Sequence, residues 1–440
     1  MATIAEQLTS LANTKTAIKD AIIAKGVQVA DDTPFRNYAD KIGEISGGGE
    51  PSGEWQPNPN WWDIRKILDE DTRDYAGKVG VILYNFNDVS DFQLSSSGMT
   101  AVATSDGAFY SYANNGSKVS HNWDTSKDKD DGRGFKTRWI IYYYTTDTTS
   151  DKFGRSDAKF GCAYNFIAYL VLRINCSNGS YFCDNQRLLE AIDNVGHSIN
   201  GTNFSGFCAY CYSLARLPDG LDTSNGTNFN NFCSSCASLT GLPDGLDTSN
   251  GTNFSSFCSG CQSLARLPDG LDTSNGTNFG SFCSSCQSLA RLPDGLDTSN
   301  GTNFGSFCYN CPSLIMLPDV LDTSNGTIFS SFFSGCASLI KSSEFTMAKS
   351  TTEITSKYSG PFSSSTWIVE LPLTLPSNTN FWLDMSTRIS IESFRYIADH
   401  APDVTATPRT LTVGTTNISR INAEDPTIIT DLNAKGWTVA

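Results

Sequence analysis

From residue 182 onward the apolar positions repeat every 25 residues. Offsetting the chain against itself by 25 superposes Phe207, Phe232, Phe257, Phe282, Phe307 and Phe332 without a gap. The string LPD-x-LDTSNGT recurs five times, starting at Leu217, Leu242, Leu267, Leu292 and Leu317. A weaker copy fits Phe182, Cys183, Leu189, Ile192, Asn200 and Gly201, which makes seven coils with atypical ends, as the caps of a stacked array should be. Within a coil, Phe204, Phe207, Cys208, Cys211 and Leu214 fall at i, i+3, i+4, i+7 and i+10, a spacing that predicts a short helix with one apolar face turned inward. Leu214, Leu217 and Leu221 around Pro218 predict an extended segment, and Asp222-Thr223-Ser224-Asn225-Gly226 a turn. No coil can bury its apolar face alone, so stability has to come from stacking on its neighbours.

Outside the array the patterns differ. Ile4, Leu8, Leu11, Ile18 and Ile22 alternate spacings of four and three with one turn skipped at Lys15, a short coiled-coil seam that predicts oligomerisation; packing on its own chain is the plainer alternative. A second helix is expected around Phe35, Tyr38, Ala39, Ile42 and Ile45, followed by a glycine-rich hinge at 47–53. Residues 54–150 lack the period and contain β-favouring runs such as Val79–Tyr84 and Trp139–Tyr144, so a small β-rich domain is expected there. Residues 151–181 read as a connecting segment, 182–346 as the solenoid, and 347–440 as an irregular leucine-rich region with a C-terminal cap. In that cap Asp425-Pro426 starts a helix whose apolar side is Ile428, Ile429 and Leu432 and whose stop is Gly436.

The chain has 440 residues and a formal net charge of −15, which disfavours nucleic acid and anionic lipid as partners. No run of 18 apolar residues is present, and the amphipathic start with Glu6 and Lys15 does not read as a secretory signal, so synthesis in a cytosol without membrane insertion is expected. The aromatic cluster Trp55, Trp61 and Trp62 reads as packing for the β-rich domain, with a sugar platform as the alternative. Ser126 to Gly132 is acidic but misses the ligand positions of a calcium loop, and is expected to be a solvated loop. His121, His197 and His400 lie in three separate regions, and neither a nucleophile elbow nor a phosphate loop accompanies them. Binding is the better expectation than catalysis.

Five C-x-x-C pairs, Cys208/Cys211 through Cys308/Cys311, have a spacing that suits zinc. The next coil speaks against it, because Phe333 stands where the first cysteine should be while Cys336 remains. A position that accepts phenylalanine is a core position, so buried thiols are expected and no metal or other cofactor; disulfides between neighbouring coils stay open as an alternative. The rows Asp222, Asp247, Asp272, Asp297, Asp322 and Asn225, Asn250, Asn275, Asn300, Asn325 suggest a calcium strip less well than turn residues that satisfy backbone donors. Recognition is expected where the coils disagree, at Tyr210, Tyr212, Arg216, Gln262, Arg266, Gln287, Arg291, Tyr309 and Met316, since tyrosine and arginine are favoured in binding surfaces. Ordinary solvated side chains are the plain alternative.

These units resemble the BspA-like leucine-rich repeat, an α/β solenoid fold, in the run Phe332-Phe333-Ser334-Gly335-Cys336-Ala337-Ser338-Leu339 and in the Asp-Thr-Ser-Asn turn. The segment IAEQLTSLANTKTAIKDAIIAKG followed by TPFRNYADKI resembles the N-terminal segment of bacteriophage tail and baseplate-associated proteins. The ending LTVGTTNISRINAEDPTIITDLNAKGWTVA is similar to the closing cap of phage-borne BspA-like proteins. Together the resemblances imply a multidomain virion protein assembled in the host cytoplasm. Residues 1–46 would attach it to other tail or baseplate proteins and join it to itself, as a trimer, while the solenoid binds a glycan or protein on the host surface. A purely structural fibre or decoration protein and a bacterial surface adhesin are the alternatives.

Overall fold

A computed structural model describes residues 58–84, 91–93, 99–111, 118–149, 167–194, 196–218, 221–318, 320–342, 344–351 and 360–440. The N-terminal helices with Ile4, Leu8, Leu11, Ile18 and Ile22, the 47–53 hinge and Trp55 lie outside these residues.

The β-rich region is a seven-stranded sheet in the order Ala191–Asp193, Ile167–Arg173, Gly77–Tyr84, Lys136–Tyr144, Met99–Thr104, Phe109–Ser111, with Lys129–Asp130 added along Lys136–Tyr144. All neighbours are antiparallel except Ala191–Asp193, which runs parallel to Ile167–Arg173. The sheet therefore takes strands from beyond residue 150: Ile167–Arg173, expected in a connection, pairs with the strand Gly77–Tyr84, and Ala191–Asp193 belongs to the first coil of the array. Both faces are covered, which explains the almost unbroken apolar runs in its central strands. One face carries Ile82, Ile141, Tyr143 and Val171 under the helix Ile64–Glu70, whose first turn is capped by the Asp63 carboxylate. The other face carries Val81, Val102, Ile140, Tyr142 and Leu170 and joins the core of the array, so the sheet closes the solenoid at its N-terminal end.

The array is a β-solenoid of about nine turns. The helix expected in each coil does not form. Instead, alternate N–H groups point to the next coil: Phe204 to the Asn228 carbonyl (2.8 Å), Gly206 to Asn230 (2.8 Å), Cys208 to Phe232 (2.9 Å) and Tyr210 to Ser234 (2.7 Å). The N–H groups between them close short turns, Phe207 on Phe204, Ala209 on Gly206 and Cys211 on Cys208. Two residues per coil take left-handed backbone angles to permit this, for example Ser256 (φ 56) and Gly260 (φ 77). An α-helix sends every N–H four residues back and has no such angles, so the i, i+3, i+4 spacing here reports a wound turn whose bonds run mostly between coils.

Inside, phenylalanines form two columns. Phe204, Phe229, Phe254, Phe279, Phe304 and Phe329 stack with centroids 5.6–5.7 Å apart. Phe182, Phe207, Phe232, Phe257, Phe282 and Phe307 do the same at 5.3–5.5 Å. The glycines of the five Asn-Gly-Thr runs from Gly226 to Gly326 are required by the first column, because a Cβ on Gly226 would lie 2.5 Å from the Phe229 ring. All thirteen described cysteines are buried and unbridged. The second cysteine of each pair donates its thiol to the carbonyl of the first cysteine one coil earlier, from Cys211 on Cys183 (2.9 Å) to Cys336 on Cys308 (3.0 Å).

The array also runs further than the seven expected coils. Phe362 stacks on Phe333, and Ser365 takes the place of a thiol by donating to the Phe333 carbonyl at 2.7 Å. Ser365 follows Cys336 by 29 residues instead of 25, which hides this coil from a fixed period. Parallel pairing continues through Phe345–Thr346 with Leu373–Thr374, and through Phe381–Trp382, Arg409–Thr412 and Trp437–Val439. The helices Ile391–His400, Thr415–Glu424 and Thr427–Ala434 pack around this end. The last begins and ends where the sequence predicts: Thr427 N–H bonds to the Asp425 carboxylate, Ile428 and Leu432 are buried, Ile429 is half-buried, and Gly436 (φ 85) follows the helix. No helix among the described residues is long and apolar enough to cross a membrane.

Candidate functional site

The turns hold their polar rows through hydrogen bonds. Each carboxylate of the Asp222 row is turned back on its own coil, as where Ser249 donates both N–H (3.0 Å) and hydroxyl (2.7 Å) to Asp247. Those bonds keep the Asp247 carboxyl below its ordinary range. The asparagines bridge coils: Asn250, Asn275, Asn300 and Asn325 donate to serine carbonyls of the preceding coil at 2.7–2.8 Å. These rows thus have a structural role, satisfying backbone and side-chain groups, and among the described residues no group of three His, Cys, Asp or Glu could hold a metal ion.

In the sheet region the histidine chemistry is also inward. His121 is buried between Asp106 (Nε2 to Oδ2, 2.9 Å) and the Tyr110 hydroxyl (Nδ1, 2.8 Å). Burial alone would raise the Asp106 pKa, but the Thr104 hydroxyl, the Asp124 N–H and His121 outweigh it and hold the carboxyl low. Trp61 is buried against Tyr84 and Tyr169, and the Trp62 indole donates to the Thr137 carbonyl, so both serve packing. Five residues of the Ser126–Gly132 stretch are exposed, as expected of a solvated loop, but two of its carboxylates turn inward. The Asp128 side chain is buried in a two-point pair with Arg138 (2.7 and 3.1 Å), and the buried Asp131 accepts the N–H groups of Arg133 and Phe135 (2.8 and 3.0 Å).

The outward positions of the coils remain. Tyr210, Tyr212 and Tyr309 are 41%, 38% and 43% exposed, which sets them apart from the other aromatic residues of the regular coils. Gln262 and Gln287 are exposed, and Arg216, Arg266, Arg291 and Met316 are half-buried. Tyr210 and Tyr212 meet edge to face at 6.5 Å, with Arg216 further along the same coil, whereas Tyr309 belongs to a coil four repeats away. The arginines are not equivalent. Arg266 reaches Asp244 of the preceding coil at 3.9 Å and Arg291 reaches Asp269 at 3.5 Å. The coil before Arg216 has Asn194 at that place, and no carboxylate of the described residues pairs with Arg216.

Three further exposed groups were missed from the sequence. Arg187 occupies the Tyr212 position one coil earlier, with its guanidinium 5.3 Å from the centre of the Tyr212 ring. Tyr181 lies across Gly206, so closely that a Cβ there would come within 2.6 Å of its ring. Their column positions were readable from the degraded first copy, but only in register with coils that the weak match left uncertain. Trp367, 49% exposed, lies beneath the Arg388 guanidinium at 3.9 Å, in the coil displaced by the four extra residues. A separate cleft of about 300 Å³ lies where the regular array ends, lined among others by Asp322, Glu344, Thr374 and Tyr396. There the Tyr396 hydroxyl donates to Glu344, and burial foremost pushes its pKa up to about 12.

Comparison of the chain with protein-family models, with curated proteins and with solved structures returns no match.

Proposed function

We propose that this is a non-enzymatic binding protein of a bacteriophage tail or baseplate, built on BspA-like leucine-rich repeats, that attaches to a glycan or protein on the host cell surface through its solenoid. The observation that carries the reading is the contrast between a uniform interior and a non-uniform exterior. Coil after coil repeats the same phenylalanine, thiol and asparagine contacts, while Tyr210, Tyr212 and Arg216 present aromatic rings and a cation on a scaffold that fixes their positions. Exposed, rigidly held tyrosine and arginine suit recognition, because little conformational freedom is lost when they engage a partner. The virion assignment and self-association rest on the N-terminal resemblance.

The test is adsorption. Fluorescently labelled full-length protein should bind saturably to the bacterium that hosts the phage, compete with unlabelled protein, and slow phage adsorption when added in excess. Phage lacking the gene but adsorbing at the normal rate would sink the reading. The structural-component alternative makes a different prediction for an image of the intact particle: the solenoid packed against other virion proteins, instead of projecting outward.

A further inference from the structure

The coil that follows Tyr212 carries the small residues Ala237 and Gly241 at two outer positions where its neighbours carry long ones, with the exposed Thr240 between them. In register along the stack, Arg187, Tyr212, Ala237 and Gln262 form one column, and Arg216, Gly241, Arg266, Arg291 and Met316 form another. The register is fixed by the ladder, in which Ser238 N–H bonds to the Tyr212 carbonyl (3.0 Å) and Thr240 N–H to the Ala215 carbonyl (3.3 Å). At both columns the coil containing Ala237 and Gly241 carries the smallest residue, and nothing lies within 4 Å of where a Gly241 Cβ would stand. The neighbouring coils carry long side chains, so the surface dips by one coil between them. Two ladder steps of roughly 4.8 Å each separate the bracketing residues, a span of about 10 Å.

The chemistry around the dip is specific. On one side are the Tyr210 and Tyr212 rings and Arg216; on the other are Gln262 and Arg266, the latter only loosely held by Asp244 at 3.9 Å. Arg187, over the far side of Tyr212, adds a second guanidinium with no ion pair among the described residues. Among the described residues neither Arg216 nor Arg187 has a carboxylate partner, which is unexpected on a chain of net charge −15. Ring faces match the C–H faces of a sugar, and guanidinium groups match a carboxylate or phosphate through paired donors. At physiological salt the screening length of about 8 Å suppresses the long-range repulsion between an acidic protein and an acidic ligand, leaving contact-range pairing to decide.

We propose that this depression, formed by Tyr210, Tyr212, Arg216, Ala237, Gly241 and Arg266, binds one acidic sugar residue of a surface polysaccharide. It rests on the receptor-binding reading above and gives that reading a place and a ligand class. The sugar ring lies over Ala237 and Gly241, its apolar face on tyrosine and its anionic group on Arg216. Carboxylated and phosphate-bearing glycans offer the same chemistry, and the test separates them.

The experiment measures binding of the full chain, by interferometry, to polygalacturonate, alginate, polysialic acid and poly(glycerol phosphate) teichoic acid, with dextran as the neutral control. At least one acidic polymer should bind and dextran should not. Arg216→Ala should weaken binding about tenfold. Gly241→Met and Ala237→Gln place in this coil uncharged residues that other coils already carry at Met316 and Gln262, so they fill the depression without adding a cation or disturbing the fold; each should weaken binding at least tenfold at unchanged melting temperature. Undiminished binding by Gly241→Met overturns the proposal, as does equal binding to dextran, or binding of the wild type to host cells with none of the acidic polymers bound. Host cells bound equally by wild type and Gly241→Met would sink this site alone, whereas failure of the wild type to bind cells would sink the broader reading.

Discussion

The two cysteines of a coil have different tasks, although they are spaced like a matched pair. Cys261 uses its side chain, donating to the Cys233 carbonyl, whereas Cys258 uses its carbonyl, which accepts from Cys286. Substitution should therefore rank in opposite orders at the two sites. Cys261→Ser keeps a donor, as Ser365 does toward Phe333, and should be milder than Cys261→Ala, which leaves the Cys233 carbonyl with the Cys236 N–H alone, at a cost of about 0.5–1.5 kcal/mol. At position 258 alanine should be milder than serine, because the new hydroxyl is buried with only the Cys261 sulfur, a weak acceptor, to receive it. Urea midpoints of the four variants check this, and the same order at both sites would refute the division of labour. Phe333 made the core role of the first cysteine legible in the sequence. The donor role of the second was not legible, since its acceptor lies 28 residues away.

At the scale of the element, the period was visible and the backbone was not. Apolar spacing of three and four suits any winding that returns a side chain inward every three to four residues, whether helix or turn. The discriminating signal lay in the polar positions: Asn231, Ser256, Ser281, Ser306 and Ser331 in one column, and Ser235, Gly260, Ser285, Asn310 and Gly335 in the other, all with positive φ. The outer face of a helix would instead favour alanine, glutamate and lysine. Tyr210 belongs to the second column (φ 60), so variation there reflects backbone tolerance as well as exposure. Ser256→Gly should accordingly change stability by no more than roughly 1 kcal/mol, while the β-branched Ser256→Val should cost about 1–3 kcal/mol; thermal or urea unfolding reads the difference. Equal effects would mean that the left-handed angle is not a constraint. In the sheet, the run 126–132 is mostly exposed as its composition suggests, but the burial of the Asp128 side chain was not legible because it depends on Arg138, a partner ten residues on in the edge pairing. Asp128→Asn should leave that guanidinium buried and unpaired, lowering unfolding stability by about 3–5 kcal/mol, and a loss below 1 kcal/mol would show the pair to be open to solvent.

Across the whole molecule one apolar core runs from Val79 in the sheet to Trp437 near the C-terminus, so the boundaries drawn from composition do not divide the packing. The sheet offers the first coil a parallel partner strand, and the last helices close the other end, leaving neither face of the array open. A thiol column within such a core gives the fold a dependence on alkaline pH. Burial first of all holds the thiols of Cys208, Cys233, Cys258, Cys283 and Cys308 well above their ordinary value of 9.0. The folded chain then keeps protons that the unfolded chain releases once pH passes about 9, so folding binds more protons than unfolding there. The stabilisation is complete below that pH and declines as pH rises toward the folded values. With reductant present, the urea midpoint should be level from pH 7 to about 8.5 and fall steadily to about pH 9.5, before most tyrosine and lysine side chains lose their protons. Iodoacetamide should label the thirteen described thiols of the native chain negligibly at pH 8 and all of them after unfolding, because only an exposed thiolate reacts. A flat midpoint through about pH 9.5, or full labelling without unfolding, would mean that the cysteines face water and that the solenoid is wound the other way out.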